Sequence, residues 1–360
     1  MADRYCKTVY CEKKFLEHCI KTIAEWQFCE ESFEELRLWM CIKALIFSPD
    51  IVLHLNITSD EIDTIENKNR NELTTFEKNI RDILDRQHQN TDGSPEIQLI
   101  TRDFVTVDNI NKSDNKQLTA YYLTCCDCET CQKCMDECGV LAICPENLKD
   151  FKSILYDNGS AIGKNEQTDW KQKLIFTPCN SLVLVDNYIL SDSKGVENLK
   201  KIFDILLPQK LNSDVPFQIS IFTTLKRGYG NKAEDISSQK RLDKVKEIIQ
   251  EVRINLKPIH ISIFKCSSDR FHDRIICTNN TYISCGGGFD LVNDFGRASK
   301  TTTTNYVFPF FYKSAKWDSM AYSNFVYNVY DCFNGATDFK TDIATGFYVG
   351  EKLNRLITQC

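Results

Sequence analysis

Between residues 182 and 264, apolar strands and amphipathic helices alternate, and this alternation limits the fold more than any other feature of the chain. Residues 182–189 read as a strand, 196–207 as a helix with Leu199, Ile202, Phe203 and Leu206 on one face, and 217–223 as a second strand. A further helix over 240–255 (Leu242, Val245, Ile248, Ile249, Val252) leads into a strand over 259–264. A helix between two strands is long enough to carry the chain back across a sheet, so such units build largely parallel strands. The expected class is α/β, a mixed sheet with helices on both faces.

The first half is organised differently. Over 6–47, Phe15, Cys19, Ile23 and Trp26, then Phe33, Leu36, Trp39 and Met40, recur at helical spacing, which predicts two amphipathic helices. A short strand follows at 51–57, a helix at 76–88 and a strand at 97–107. Residues 156–173 are polar and glycine-bearing, which suggests a boundary between a smaller α/β, cysteine-rich domain (1–170) and a second domain (171–360). The stretch from Gly159 to Lys164 is one spacer short of a phosphate loop and lacks the Ser or Thr after the lysine.

The net charge of −6 over 360 residues argues against coating nucleic acid through bulk charge, so any anion site must be focal. No run approaches the twenty apolar residues of a membrane span, and the first residues do not lead into a secretion signal, so the expectation is a cytoplasmic protein. There the eighteen cysteines should be mostly thiols. Cys6, Cys11, Cys19, Cys29 and Cys41 do not pair as metal ligands and read as small core residues. His54 and His88, without cysteine partners nearby, read as packed or surface side chains.

Seven cysteines crowd residues 125–144: Cys125, Cys126, Cys128, Cys131, Cys134, Cys138 and Cys144. The C-x2-C-x2-C-x3-C spacing of Cys128, Cys131, Cys134 and Cys138 resembles the bacterial ferredoxin run, with Gly139 where proline is expected, and the resemblance implies an iron–sulfur cluster. A structural zinc would be served by the same four thiolates, with Cys126 or Cys144 as substitutes. The bland alternative is a loop of unmetallated thiols. Spacing favours iron–sulfur, in a role that pins a domain rather than carries electrons.

The second candidate site begins at His272 and Arg274, two apart on a strand and so on one face, and reaches Gly286, Gly287 and Gly288, whose backbone can approach an anion closely. This register resembles the phospholipase D superfamily motif His-x-Lys-x4-Asp-x6-Gly-Ser-x-Asn, with Arg274, Asn279, Gly287 and Phe289 replacing lysine, aspartate, serine and asparagine. The segment is more similar still to the phospholipase-D-like domain that follows microtubule-interacting and trafficking domains. The shared features are His272-Asp273-Arg274, Asn279-Asn280, the glycines with Phe289-Asp290, and the threonine-bearing strand over 301–308. Asp186-Asn187-Tyr188 resembles the strand-end motif that opens such domains.

That resemblance covers roughly the second half of the chain and implies a phosphate-ligand binder, of nucleic acid or acidic phospholipid, that does not turn its ligand over. Arg274, Asn279 and the three glycines would hold the phosphate. The alternative it implies is a metal-ion-independent nuclease of a microbial defence system, with His272 as nucleophile. A second histidine would then have to come from a homodimer, since His260 lies in no second motif. A third reading is an adaptor for a protein partner alone. Residues 226–232, with Lys240, Arg241, Lys244 and Lys246, could extend an anion surface or form a solvated face balanced by Asp235, Asp243 and Glu247.

Overall fold

The computed structural model describes residues 7–26, 33–47, 51–89, 98–102, 118–151, 160–162, 178–209, 211, 216–224, 226–227, 234–235, 238–256, 258–266, 274–285, 289, 305–309, 329, 331–333, 337–338, 347–351 and 353–357. The chain forms two compact units, Asp3–Tyr156 and Asp157–Thr358. The division lies earlier than the expected one, because Ser160–Ile162 belongs to the sheet of the second unit as an edge strand.

The first unit is a five-stranded, all-parallel sheet: β1 (Lys7–Cys11), β2 (Ile51–Leu55), β3 (Gln98–Thr101), β4 (Leu118–Leu123) and β5 (Leu141–Ile143), in the order β3-β2-β1-β4-β5. This is a doubly wound order, and it reverses between β1 and β4. The short strand β1, at the centre of the sheet, falls inside the stretch where only helices were expected. The helices are α1 (Lys13–Trp26), α2 (Phe33–Ile46), α3 (Ser59–Asn67), α4 (Thr75–Gln89) and α5 (Cys128–Cys138).

Local chemistry sets their ends. Thr58 and Glu61 form a reciprocal capping box at the start of α3. The Asp127 carboxylate accepts from the backbone of Thr130 at 2.7 Å to open α5. Gly139, at φ 63°, closes α5 by donating its N–H to the Met135 carbonyl. Cys11 and Cys19 are fully buried, as expected of small core residues.

The second unit is a nine-stranded mixed sheet, with β6 (Ser160–Ile162), β7 (Ser181–Val185), β8 (Phe217–Thr223), β11 (Ile259–Lys265), β12 (Arg274–Thr278), β13 (Thr281–Cys285), β14 (Asn305–Pro309), β15 (Thr337–Asp338) and β16 (Phe347–Gly350). Strands β9 (Lys226–Arg227) and β10 (Glu234–Asp235) pair separately. The order is β15-β16-β11-β8-β7-β12-β13-β14-β6, with β7, β8 and β11 parallel and β12 to β14 a meander on one side. Helices α6 (Ser193–Leu206) and α7 (Ser238–Val252) are the two crossovers.

Both crossovers lie on one face of the sheet, while helical residues 331–333 pack on the other, with Phe333 against Phe264 at 5.2 Å between ring centres. Leu199, Ile202 and Phe203 of α6 and Val245, Ile248 and Ile249 of α7 share a single cluster with Leu182, Leu184, Ile219, Ile221, Ile261, Ile263 and Ile276. The reason is topological: from β7 through β8 to β11 the chain always steps in the same direction, and right-handed crossovers then stay on one side. Burying each such side chain contributes roughly 1.5–3 kcal/mol.

The opposite face carries polar residues at its centre. Ser220 and Ser262 share a hydrogen bond of 2.8 Å, and the Asn354 amide donates to the Ser220 hydroxyl and to the Leu182 carbonyl. Arg355 donates to the carbonyls of Asn180 and Pro216. Hydrogen bonding of this kind is what makes buried polar groups tolerable.

Candidate functional site

In the second unit the strand register lines up three successive rows on the helix-covered face. The first is Ile261, Ile219, Leu182 and Thr278; the second is Ile263, Ile221, Leu184 and Ile276. Continuing the register by one pleat gives Lys265, Thr223, Asp186 and Arg274, so the face turns from apolar to polar at the carboxyl ends of the parallel strands. That is the edge at which open α/β sheets bind ligands.

The row is held in place from behind. The backbone N–H of Asp186 donates to Phe222 and that of Cys266 to Thr223, both at 3.0 Å. One Asp186 carboxylate oxygen accepts from the Tyr188 N–H at 2.8 Å, and the Asn187 carbonyl accepts from the hydroxyls of Thr223 and Thr224. The Arg274 guanidinium lies 5.6 Å from the centre of the Tyr188 ring, within cation–π range, and Tyr188 is 37% exposed. Two cationic side chains flank a threonine and a carboxylate, and an open aromatic ring adjoins one of the cations.

Of the sequence-derived phosphate residues, Arg274 occupies this edge and pairs in register with Cys285 at the end of β13. His272 and Gly286, Gly287 and Gly288 lie outside the described residues; the chain joins them directly to that paired end of the hairpin. Asn279 does not join them. It stands at the turn of the hairpin, five residues and about 16 Å of extended chain from Arg274.

Asn279 is fully buried, and its side chain bonds the start of β7: the carbonyl oxygen accepts from the N–H groups of Asn180 and Ser181, and the amide donates to the Asn180 side chain. Its role is to fasten the hairpin, which corrects its assignment to phosphate. His260 lies at the amino end of β11, against Glu351, and so at the opposite edge of the sheet from Arg274. Lys240 and Lys244 are exposed on α7, Lys244 paired with Glu247 at 3.0 Å, while Arg241 is buried; a mostly solvated helix face accounts for this region.

In the first unit the cysteine-rich segment is not a loop but the helix α5, and this overturns the proposed ligand set. Cys128 and Cys138 are ten residues apart, about 15 Å along a helix axis. Thiolates on one metal ion, each about 2.3 Å from it, stand less than about 5 Å apart. Cys134 and Cys138 are buried and hydrogen-bonded to each other. They pack into the core rather than around an ion.

A different group of thiols does come together where the strand order reverses. Cys128 Sγ lies 3.8 Å from Cys144 Sγ, just after β5, and Cys131 also hydrogen-bonds to Cys144. Cys126 approaches the same group from the end of β4, its sulfur 3.8 Å from Glu12. Desolvation and the hydrogen bonds to Cys144 and Glu146 push the Cys128 thiol up to about 11. Burial first, then Cys144, pushes that of Cys131 higher still.

Glu12, directly after β1, organises this edge. Its carboxylate accepts from the Tyr122 hydroxyl (2.9 Å), the Thr124 hydroxyl (2.7 Å) and the Cys125 N–H (2.8 Å). Sequence reasoning passed over it, since one acid among many gives no signal; only the pairing of β1 with β4 brings it beside Thr124. The spacing to Cys144 did signal a partner, through the Cys144-Pro145 pair, but in another arrangement.

Beside α1, α3 and α4 lies a cavity of about 370 Å³ whose lining includes Lys13, Glu61, Phe76 and Glu77. Two of its carboxylates are already partnered: Lys13 pairs with Glu61 at 2.6 Å and Lys68 with Glu77 at 2.7 Å. Among the described residues, no helix is long and apolar enough to cross a membrane. Comparison with protein-family profiles, with curated proteins and with solved structures finds no match for this chain.

Proposed function

We propose that the second unit binds a phosphate-containing ligand, nucleic acid or acidic phospholipid, at the carboxyl edge of its sheet, without turning it over. The observation that carries this reading is the row of Lys265, Thr223, Asp186 and Arg274, where the helix-covered face becomes polar. Arg274 supplies a planar donor fork suited to a phosphate, Lys265 a second cation, and Tyr188 a ring on which a base or an acyl-chain stem can lie. His272 and Gly286 to Gly288, which adjoin Arg274 and Cys285 in sequence, are the other residues that the phospholipase-D-like reading assigns to the phosphate.

The reading is tested by fluorescence anisotropy of labelled DNA and RNA oligonucleotides and by flotation with phosphatidylserine vesicles, all in EDTA. Arg274→Ala is expected to weaken binding at least tenfold, the cost of roughly 1.4 kcal/mol or more for a charge-assisted hydrogen bond. The oligonucleotides are expected to remain intact. Cleavage abolished by His272→Ala would replace this reading with the dimeric nuclease. Binding to neither ligand, or binding that Arg274→Ala leaves unchanged, would overturn it in favour of an adaptor for protein.

A further inference from the structure

We infer that Cys126, Cys128, Cys131 and Cys144 form a mononuclear tetrathiolate site for a soft divalent cation of the zinc class, at the strand-order reversal of the first unit. Nothing in this depends on the phosphate reading of the second unit. The Sγ–Sγ separation of Cys128 and Cys144 is 3.8 Å. Sulfurs about 2.3 Å from one tetrahedral ion stand about 3.8 Å apart, the edge of that tetrahedron. A four-iron cluster holds its cysteines farther apart, because each sulfur binds a different iron.

The backbone carrying these thiols is already fixed. The Cys126 N–H donates to the Thr124 hydroxyl at 3.0 Å, and Thr124 is in turn held by Glu12. The Cys144 N–H donates to the Asn147 side chain at 2.8 Å, whose amide returns to Ala142. Cys128 and Cys131 are three apart on α5, one face of the helix. Such outer contacts orient ligands and are part of most metal sites.

Among the described residues, no three His, Cys, Asp or Glu side chains yet surround a common point at ligand distance. Cys128 and Cys131 instead hydrogen-bond Cys144 as thiols, and Cys126 donates to the Glu12 carboxylate. Loading exchanges those hydrogen bonds for metal–sulfur bonds, with one proton released per thiol, and asks for side-chain rotation at half-exposed Cys126. The resulting negative charge stands at the amino end of α5, where the helix dipole is favourable. Glu146, which accepts the Cys128 S–H at 3.4 Å, is placed to take up that proton.

The test uses the full chain, reduced and stripped with a chelator under anaerobic conditions. It is titrated with Zn²⁺ against a chromogenic competitor and, separately, with Co²⁺. One equivalent per chain is expected, with Co²⁺ giving the ligand-field and charge-transfer bands of a tetrahedral thiolate centre. Cys126→Ser and Cys128→Ser, at half-exposed and exposed positions that leave the core intact, should each lower Zn²⁺ affinity by at least the roughly 100-fold that losing an outer contact costs at other metal sites. Cys41→Ser should have no effect. Absence of a stoichiometric ion would overturn the site, and so would a Cys126→Ser chain that binds as the parent does. A Cys128–Cys144 disulfide in the non-reduced chain, with no ion bound after reduction, would assign the pair to redox chemistry instead.

Discussion

The two sheets end alike and differ in what they put at the end. In each, apolar rows give way to a polar row at the carboxyl ends of the parallel strands: Arg102, Asn56, Glu12, Thr124 and Cys144 follow the last paired row of the first unit, as Lys265, Thr223, Asp186 and Arg274 do in the second. The first row has an acid at its centre, clasped by hydroxyls and a backbone N–H beside a group of thiols. The second has cations at its flanks. Under the two proposals one edge would take a soft cation and the other an anion, and the difference lies in side chains that strand periodicity alone does not distinguish.

The sharpest way to break this contrast is to remove the acid. Glu12→Ala deletes the acceptor for Tyr122, Thr124 and the Cys125 N–H, and two of those donors lie on buried residues. Each unpaired buried donor costs about 1–3 kcal/mol, so the first unit should lose about 3 kcal/mol in total. Glu12→Gln, which keeps an acceptor oxygen, should lose less than half of that. Hydrogen exchange resolved to β1 and β4 peptides checks both, and equal protection in Glu12→Ala and the parent would mean the carboxylate does not hold the edge.

The second unit's edge is tested through Gly195 rather than through a charge. A Cβ there would stand 2.5 Å from the Tyr188 carbonyl and 2.7 Å from that of Ile189, both backbone atoms. Gly195→Ala must push the 186–189 turn off the start of α6, which Asp192 caps by accepting the Gly195 N–H at 2.8 Å. The expected cost is about 2 kcal/mol, typical of overpacking. Ligand affinity should fall with it, because Tyr188 carries the ring under Arg274. A destabilised chain with unchanged affinity would separate the turn from the binding edge.

What the sequence disclosed follows from how each element is buried. Strand β8 reads directly because Phe217–Thr223 lies in the middle of a parallel run and is buried throughout. Helices α6 and α7 read because each has one apolar stripe. Strand β1 was lost because Lys7–Cys11 is five residues long and runs into α1 with only Glu12 between them, so helical spacing dominates any window containing both. Helix α5 was misread for a deeper reason. Cysteines spaced three, three and four apart satisfy ferredoxin spacing and helical periodicity equally, and burial of Cys131, Cys134 and Cys138 decides for the helix. Which face the crossovers occupy, and that Glu12 meets Thr124, depend on strand order, which no local pattern encodes.

The smallest expected effect concerns the one histidine inside the first sheet. His54 on β2 is 1% exposed, stacks on Tyr10 with ring centres 4.5 Å apart, and accepts at Nδ1 from Arg102. Burial first, and the Arg102 charge second, push its pKa from 6.5 down to about 4. Above pH 6.5 the imidazole is neutral whether the chain is folded or not, and stability does not depend on it. Between 6.5 and 4 the unfolded chain takes up a proton that the folded one refuses, so stability falls as the pH drops; below 4 both forms are protonated and the loss is complete. The loss between pH 6.5 and 5 should be about 1.5 kcal/mol. Glu77, held at about 2 by Lys68 and the Thr74 backbone, and Glu61, lowered by Lys13, lose their own stabilisation only below about pH 4.5, and His260, which burial also lowers, lies in the second unit, so the β2 amides report on His54 in this window. His54→Gln keeps an acceptor for Arg102 but cannot titrate, so its β2 amides should exchange with the same protection at pH 6.5 and 5 while those of the parent weaken. Equal slopes in the two chains would mean that the imidazole is not held neutral by the fold, and that the interior of the first sheet is as tolerant of charge as the second, where Arg355 is buried.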